Sequence, residues 1–129
     1  MRVTNLNEYQ KLAQRTSSTS TARAKIENGC LGLAGESGEV CDILKKHLFQ
    51  GHGLDGDSVI DELGDVLWYI SELAAGLNTT LEEVATHNIA KLKARYPDGF
   101  DPERSQHRAK YEQAEDKESG SASPRVNED

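Results

Sequence analysis

The chain reads as an all-α protein, on three observations. Apolar residues recur at helical spacing in four successive segments, no segment shows the period-two alternation of a strand, and two segments open on a Ser/Thr-x-x-acid capping signal. The first helix spans about Asn7 to Arg15, with Tyr9, Leu12 and Ala13 on one side, and stops in the polar run Thr16-Ser-Ser-Thr-Ser-Thr21. The second spans about Ala24 to Leu48 and carries Gly29, Gly32, Gly35 and Gly38 at every third position. Each glycine costs about 1 kcal/mol relative to Ala in a helix interior. Their return is close approach by another backbone and room beside Glu36 and Glu39 for a bulky ligand; the alternative is a loop over 32–38.

The third helix begins near Ser58, where Ser58 and Asp61 match a capping box, and runs to about Leu77. Ile60, Leu63, Leu67, Ile70, Ala74 and Leu77 form an apolar stripe, and Glu62, Asp65, Tyr69 and Glu72 a second stripe on another face. The fourth starts at Thr80, with Glu83 completing a capping box, and turns Leu81, Val84, Ala85, Asn88 and Leu92 inward. Tyr96-Pro-Asp-Gly99 ends it.

A chain of 129 residues fits one domain, and apolar residues nearly vanish beyond about Glu103. The reading is a folded domain over 1–103 and a polar, solvated tail over 104–129. Long helices in so short a domain leave apolar faces uncovered, which predicts self-association. The net charge of −7 and the lack of a Lys/Arg run argue against a general nucleic-acid surface. No stretch approaches the ~20 apolar residues of a membrane span, and the N-terminus lacks the apolar core of a signal peptide. Cys30 and Cys41 stand eleven residues apart in one helix, a rise of about 16 Å that precludes a mutual disulfide. Reduced thiols and a cytoplasmic setting follow.

Two acidic pairs carry the chemistry. Glu36-Ser-Gly-Glu39 and Glu62-Leu-Gly-Asp65 each set two carboxylates three residues apart on one helix face, and the 22 residues between Glu39 and Glu62 suffice to finish a helix, cross a glycine-rich loop and return antiparallel. Four converging carboxylates need a cation, and an oxygen-only set suits Mg²⁺, with Mn²⁺ as a substitute, over Zn²⁺. No His stands three residues after a Glu, as a di-iron carboxylate bundle requires. His47 and His52 lack partners at zinc spacing and read as loop residues, while Lys45 and Lys46 read as helix-end charges.

The segments Gly32-Leu-Ala-Gly-Glu-Ser-Gly-Glu-Val-Cys-Asp-Ile-Leu-Lys-Lys46 and Asp61-Glu-Leu-Gly-Asp-Val-Leu-Trp-Tyr-Ile70 resemble the ExxE…ExxD signature of the MazG-like nucleoside triphosphate pyrophosphohydrolases. Leu6-Asn-Glu-Tyr-Gln10 is similar to that family's first helix, and Asn88-Ile-Ala-Lys-Leu-Lys-Ala-Arg-Tyr-Pro-Asp-Gly-Phe100 to its last. The resemblance implies a four-helix-type bundle core that oligomerises, a tetramer built from two dimers being favoured over a dimer, with each site drawing on more than one subunit. It implies Mg²⁺-dependent hydrolysis of a nucleoside triphosphate between the α and β phosphates. Carried over by position, Glu36, Glu39, Glu62 and Asp65 hold the metal, Lys91 and Arg95 contact phosphate, and Asn88 and Tyr69 line the nucleotide pocket. Asp42 departs from the longer acid of many relatives, and Trp68 is the single tryptophan, so a tryptophan-rich base cage is not implied. Either Glu36 or Glu39 serves as general base. Competing readings are a related enzyme acting on phosphoribosyl-ATP or dUTP, and a non-catalytic oligomeric helical module.

Overall fold

In the computed structural model, residues 1–109 are described, and they are helical without strands. The order is α1 (Leu6–Gln14), α2 (Ala22–Phe49), α3 (Gly56–Gly76), α4 (Leu81–Arg95) and the short α5 (Pro102–Gln106). The chain divides into two compact units, Met1–Glu82 and Glu83–Asp129.

In the first unit α2 and α3 form an antiparallel pair. At Gly29 an added Cβ would lie 2.7–2.9 Å from the Cβ, N and Cα of Leu73, and at Gly76 it would lie 2.9 Å from the Cγ1 and N of Ile26. Only a hydrogen fits at either point, so these two glycines set how closely the helices approach. Gly32 gives its space to the Tyr69 ring. Each step of three or four residues along α2 is matched by one back along α3: Ile26 faces Gly76, Gly29 faces Leu73 and Gly32 faces Tyr69. Gly35 and Gly38 have nothing within 4 Å of a built Cβ, so the expected close approach holds for half of the glycine series. The helix runs unbroken through all four, which removes the loop alternative over 32–38.

Caps delimit these helices. Asn5 caps α1 by accepting from the Glu8 N–H at 2.8 Å, and Thr21 caps α2 by accepting from that of Ala24 at 3.1 Å. The cap of α3 is Asp55, not the expected Ser58. Its carboxylate accepts from the Asp57 N–H at 3.2 Å and from the Ser58 hydroxyl, so α3 starts earlier than Ser58 and Ser58 acts as a donor. At the other end Asn78 (φ 54°) adopts the left-handed conformation, with Asn78 N–H on Ala75 O and Thr79 N–H on Ala74 O closing the last turn.

The Glu72 side chain, placed by the sequence pattern on the second stripe of α3 with Glu62, Asp65 and Tyr69, is fully buried. The segment after α1 folds over that end of the stripe. Ser17 Oγ donates to Glu72 Oε1 at 2.9 Å, Thr19 Oγ1 makes a short bond to the same oxygen, and Gln14 Nε2 donates to Oε2 at 3.1 Å. Lys25 Nζ lies 3.5 Å from Oε2 and donates to Ser17 Oγ at 2.8 Å and Gln14 Oε1 at 3.1 Å. Trp68 Nε1 donates to Thr16 Oγ1 at 2.8 Å, holding the start of the same segment. Burial pushes the Glu72 carboxyl up, but the bonds from Thr19, Ser17 and Gln14 and the Lys25 charge together outweigh it and leave it below its ordinary value.

Other expectations are corrected. Ile60 (64% exposed) and Leu63 are exposed in the single chain, as is Leu77, so of the apolar stripe of α3 only Ala74 is buried, with Leu67 and Ile70 half-buried. On α4 Leu81 is buried, but Val84, Asn88 and Leu92 are exposed rather than inward. Cys30 and Cys41 are free and exposed. His47 belongs to the last turn of α2, its Nδ1 2.9 Å from the His52 carbonyl oxygen. Helix α5 straddles the boundary expected at residue 103; positions 110–129 of the expected tail lie outside the described residues. No described helix is long and apolar enough to cross a membrane.

Gly29→Ala and Gly76→Ala are expected to destabilise the protein by about 1–3 kcal/mol through overpacking against backbone, whereas Gly35→Ala and Gly38→Ala stabilise it by up to about 1 kcal/mol. Urea denaturation of the four variants checks this division. Because the Glu72 carboxyl is depressed in the folded state, the stability it contributes is present above its unfolded value, about 4.3, and is lost as pH falls through the folded value. Stability measured from pH 6 to 3 is therefore expected to fall more steeply in the wild type than in Glu72→Gln. Glu72→Ala is expected to cost about 2–4 kcal/mol, since it strands a part-buried ammonium and two hydroxyls.

Candidate metal centre

The α2/α3 register that seats Gly32 on Tyr69 carries on to the acidic pairs. One turn beyond Gly32 stands Glu36, and one turn before Tyr69 stands Asp65. Glu36, Glu62 and Asp65 each offer a carboxylate oxygen, and these oxygens lie within 4.8 Å of one another. Glu36 and Glu62 are half-buried and Asp65 is exposed. Three oxygens at that spacing from two helices fit a small divalent cation with room left for water or a ligand.

The electrostatics agree with that fit. Burial, then the charges of Glu36, Glu39, Asp65 and Asp61, push the Glu62 carboxyl above its ordinary value. Glu39 is exposed and outside the three-oxygen group, but its charge reaches Glu62. Asp42 is committed elsewhere: hydrogen bonds from Lys45 and then Lys46, the latter at 2.6 Å, hold its carboxyl down to about 2. Lys45 and Lys46 therefore serve an acid on their own helix.

Tyr69 stands beside the cluster in sequence, its ring over Gly32 and edge-on to Trp68 at 5.0 Å and 83°. Sequence reasoning read Tyr9 only as a face of α1. Burial and, second, the Asp65 charge push its hydroxyl up, so α1 brings a phenol into the field of the acidic centre. An aromatic residue with a polar tip on α1 was the available signal.

Asn88, Lys91 and Arg95 lie on α4 in the second unit. Spaced three and four residues apart, they share one face of that helix, Asn88 and Lys91 exposed and Arg95 half-buried.

Residues 25–100, more than half of the chain, match the family model of the MazG nucleotide pyrophosphohydrolase domain. The chain belongs to the MazG family. That membership supports a nucleotide pyrophosphohydrolase, and the matched span contains both acidic pairs and the α4 residues. The chain is also similar to the Gene 37 protein of Mycobacterium phage L5, 39% identical over 69 residues. That alignment spans 50% of this chain and 60% of the phage protein. No solved structure matches.

Mn²⁺ titration followed by electron paramagnetic resonance is expected to show a divalent site that Glu36→Gln, Glu62→Gln and Asp65→Asn each weaken at least about tenfold. Binding is expected to weaken as pH falls, because protons compete for the same oxygens and the Glu62 carboxyl is raised above its ordinary value.

Proposed function

We propose that this MazG domain hydrolyses (deoxy)nucleoside triphosphates between the α and β phosphates, giving the monophosphate and pyrophosphate, with Mg²⁺ as its ion and Mn²⁺ as a substitute. The observation that carries the reading is the convergence of Glu36, Glu62 and Asp65 in a chain of this family. Those three carboxylates hold the ion, and Glu39 extends the negative field on the same face of α2. Mg²⁺, when bound, neutralises phosphate charge and lowers the pKa of water.

The residues of the chain supply the rest. Glu39, outside the three-oxygen group, accepts the proton of the attacking water. The water oxygen forms its bond to the α-phosphorus, the bond from that phosphorus to the bridging oxygen breaks, and pyrophosphate leaves with that oxygen. Lys91 and Arg95, four residues apart, contact the phosphates as adjacent cations, the guanidinium gripping two oxygens at once. Asn88 and Tyr69 contact the nucleoside. The working form is a homo-oligomer, a dimer of dimers favoured, whose interface covers exposed apolar residues such as Phe49 (80% exposed) and Ile60. The task is nucleotide-pool house-cleaning or regulation.

Hydrolysis of a dNTP panel, with dUTP and phosphoribosyl-ATP included, in ¹⁸O-water is the test. Label is expected in the monophosphate, with unlabelled pyrophosphate. A diphosphate and orthophosphate as products would refute the proposed bond, and label confined to pyrophosphate would move the attack to the β-phosphorus. Glu39→Ala is expected to lower turnover about 10²–10⁴-fold, the range for loss of a general base, with circular dichroism unchanged.

A further inference from the structure

The family match ends at residue 100, and composition places the end of the folded domain at about 103. The second unit nevertheless builds a clasp from the residues on either side of that point. Tyr96 N–H bonds Leu92 O at 2.8 Å, Gly99 N–H bonds Tyr96 O at 3.1 Å, and Gly99 (φ 101°) takes the chain through a turn that an L side chain resists. The Tyr96 and Phe100 rings pack at 5.4 Å. Asp101 then caps α5, its Oδ1 accepting from the Glu103 N–H at 2.8 Å and the Arg104 N–H at 3.5 Å.

The outcome is the placement of one guanidinium. Arg104 donates from Nη2 to the Ala94 carbonyl at 3.2 Å and from Nε, by a short bond, to the Arg95 carbonyl. These are carbonyls at the C-terminus of α4, where helical partners run out and the dipole is negative. A helix end without such partners frays, and the side chain of its last residue loses its direction. That last residue is Arg95, and Lys91 stands one turn earlier on the same face.

We propose that Arg104 is a positioning residue for phosphate binding: by holding the last turn of α4 from outside the family-matched segment, it fixes the direction in which Arg95, and secondarily Lys91, meets phosphate. The inference rests on the reading of Lys91 and Arg95 as phosphate contacts. It extends the functional domain to at least α5.

The test uses the full-length chain and inorganic pyrophosphate as the probe, titrated calorimetrically at saturating Mg²⁺ into wild type, Arg104→Ala, Arg104→Lys, Lys91→Ala and Arg95→Ala. Mn²⁺ affinity without pyrophosphate and amide hydrogen exchange of residues 92–96 are measured alongside. Arg104→Ala is expected to weaken pyrophosphate binding about tenfold, as misplacement of a phosphate contact does, with faster exchange at Arg95 and Tyr96 and unchanged Mn²⁺ affinity. Arg104→Lys, which reaches one carbonyl but lacks the fork, is expected to recover part of the loss. Unchanged pyrophosphate affinity in Arg104→Ala, with losses in Lys91→Ala and Arg95→Ala, would overturn the positioning role and leave the proposed reaction standing. No loss in any variant would remove the phosphate reading of α4 and this inference with it. A parallel fall in Mn²⁺ affinity in Arg104→Ala would mark a general structural effect and overturn the inference as well.

Discussion

Everything at the acidic centre depends on how closely α2 and α3 approach and in what register. Gly29 against Leu73 and Gly76 against Ile26 are contacts that no side chain larger than hydrogen permits. They fix the pair at two points about a turn apart on each helix, and Tyr69 seated on Gly32 adds a third. A rigid antiparallel pair propagates that register. The next turn brings Glu36 to Asp65 and Glu62 as a consequence of contacts at the far end of the pair. A shift of one residue would rotate the acids of one helix by about 100° away from those of the other.

The two ends of the same face of α3 show opposite electrostatic solutions. Glu72, at the covered end, has a built-in counterion in Lys25 and donors in Ser17, Thr19 and Gln14, and its carboxyl is held below its ordinary value. Glu62, at the open end, has its carboxyl pushed up by burial first and then by the charges of Glu36, Glu39, Asp65 and Asp61. One carboxylate is neutralised by the protein itself, and the other belongs to a group of three acids that could hold a cation. The difference follows from the Thr16–Thr21 segment, which folds over Glu72 and ends before the register reaches Glu62.

Much of this was legible in the sequence because it depends on local spacing. The ExxE and ExxD pairs declare their helix face, and the long span of α2 survives its glycines because tertiary contact with α3 outweighs propensity. What could not be read depends on which surface covers which. Gly29 and Gly35 are identical in sequence pattern, yet one meets Leu73 and the other meets nothing. Glu72 and Asp65 share a stripe, and only the fold of the polar segment after α1 distinguishes them. Asp55 and Ser58 are both good caps, and the carboxylate one turn earlier prevails because it also accepts from the Ser58 hydroxyl. Arg104 sits where composition signals a tail, and its role appears only once the turn through Gly99 returns it to the end of α4.

The most direct test of the central claim is the anomalous density of Mn²⁺ in crystals of the wild-type protein grown with a non-hydrolysable α,β-imido dNTP. The account predicts a peak bounded by carboxylate oxygens of Glu36, Glu62 and Asp65 at about 2.1 Å, with the α-phosphate of the analogue on its open side. A peak held by other residues, or nucleotide bound with no ion among these three acids, would contradict it.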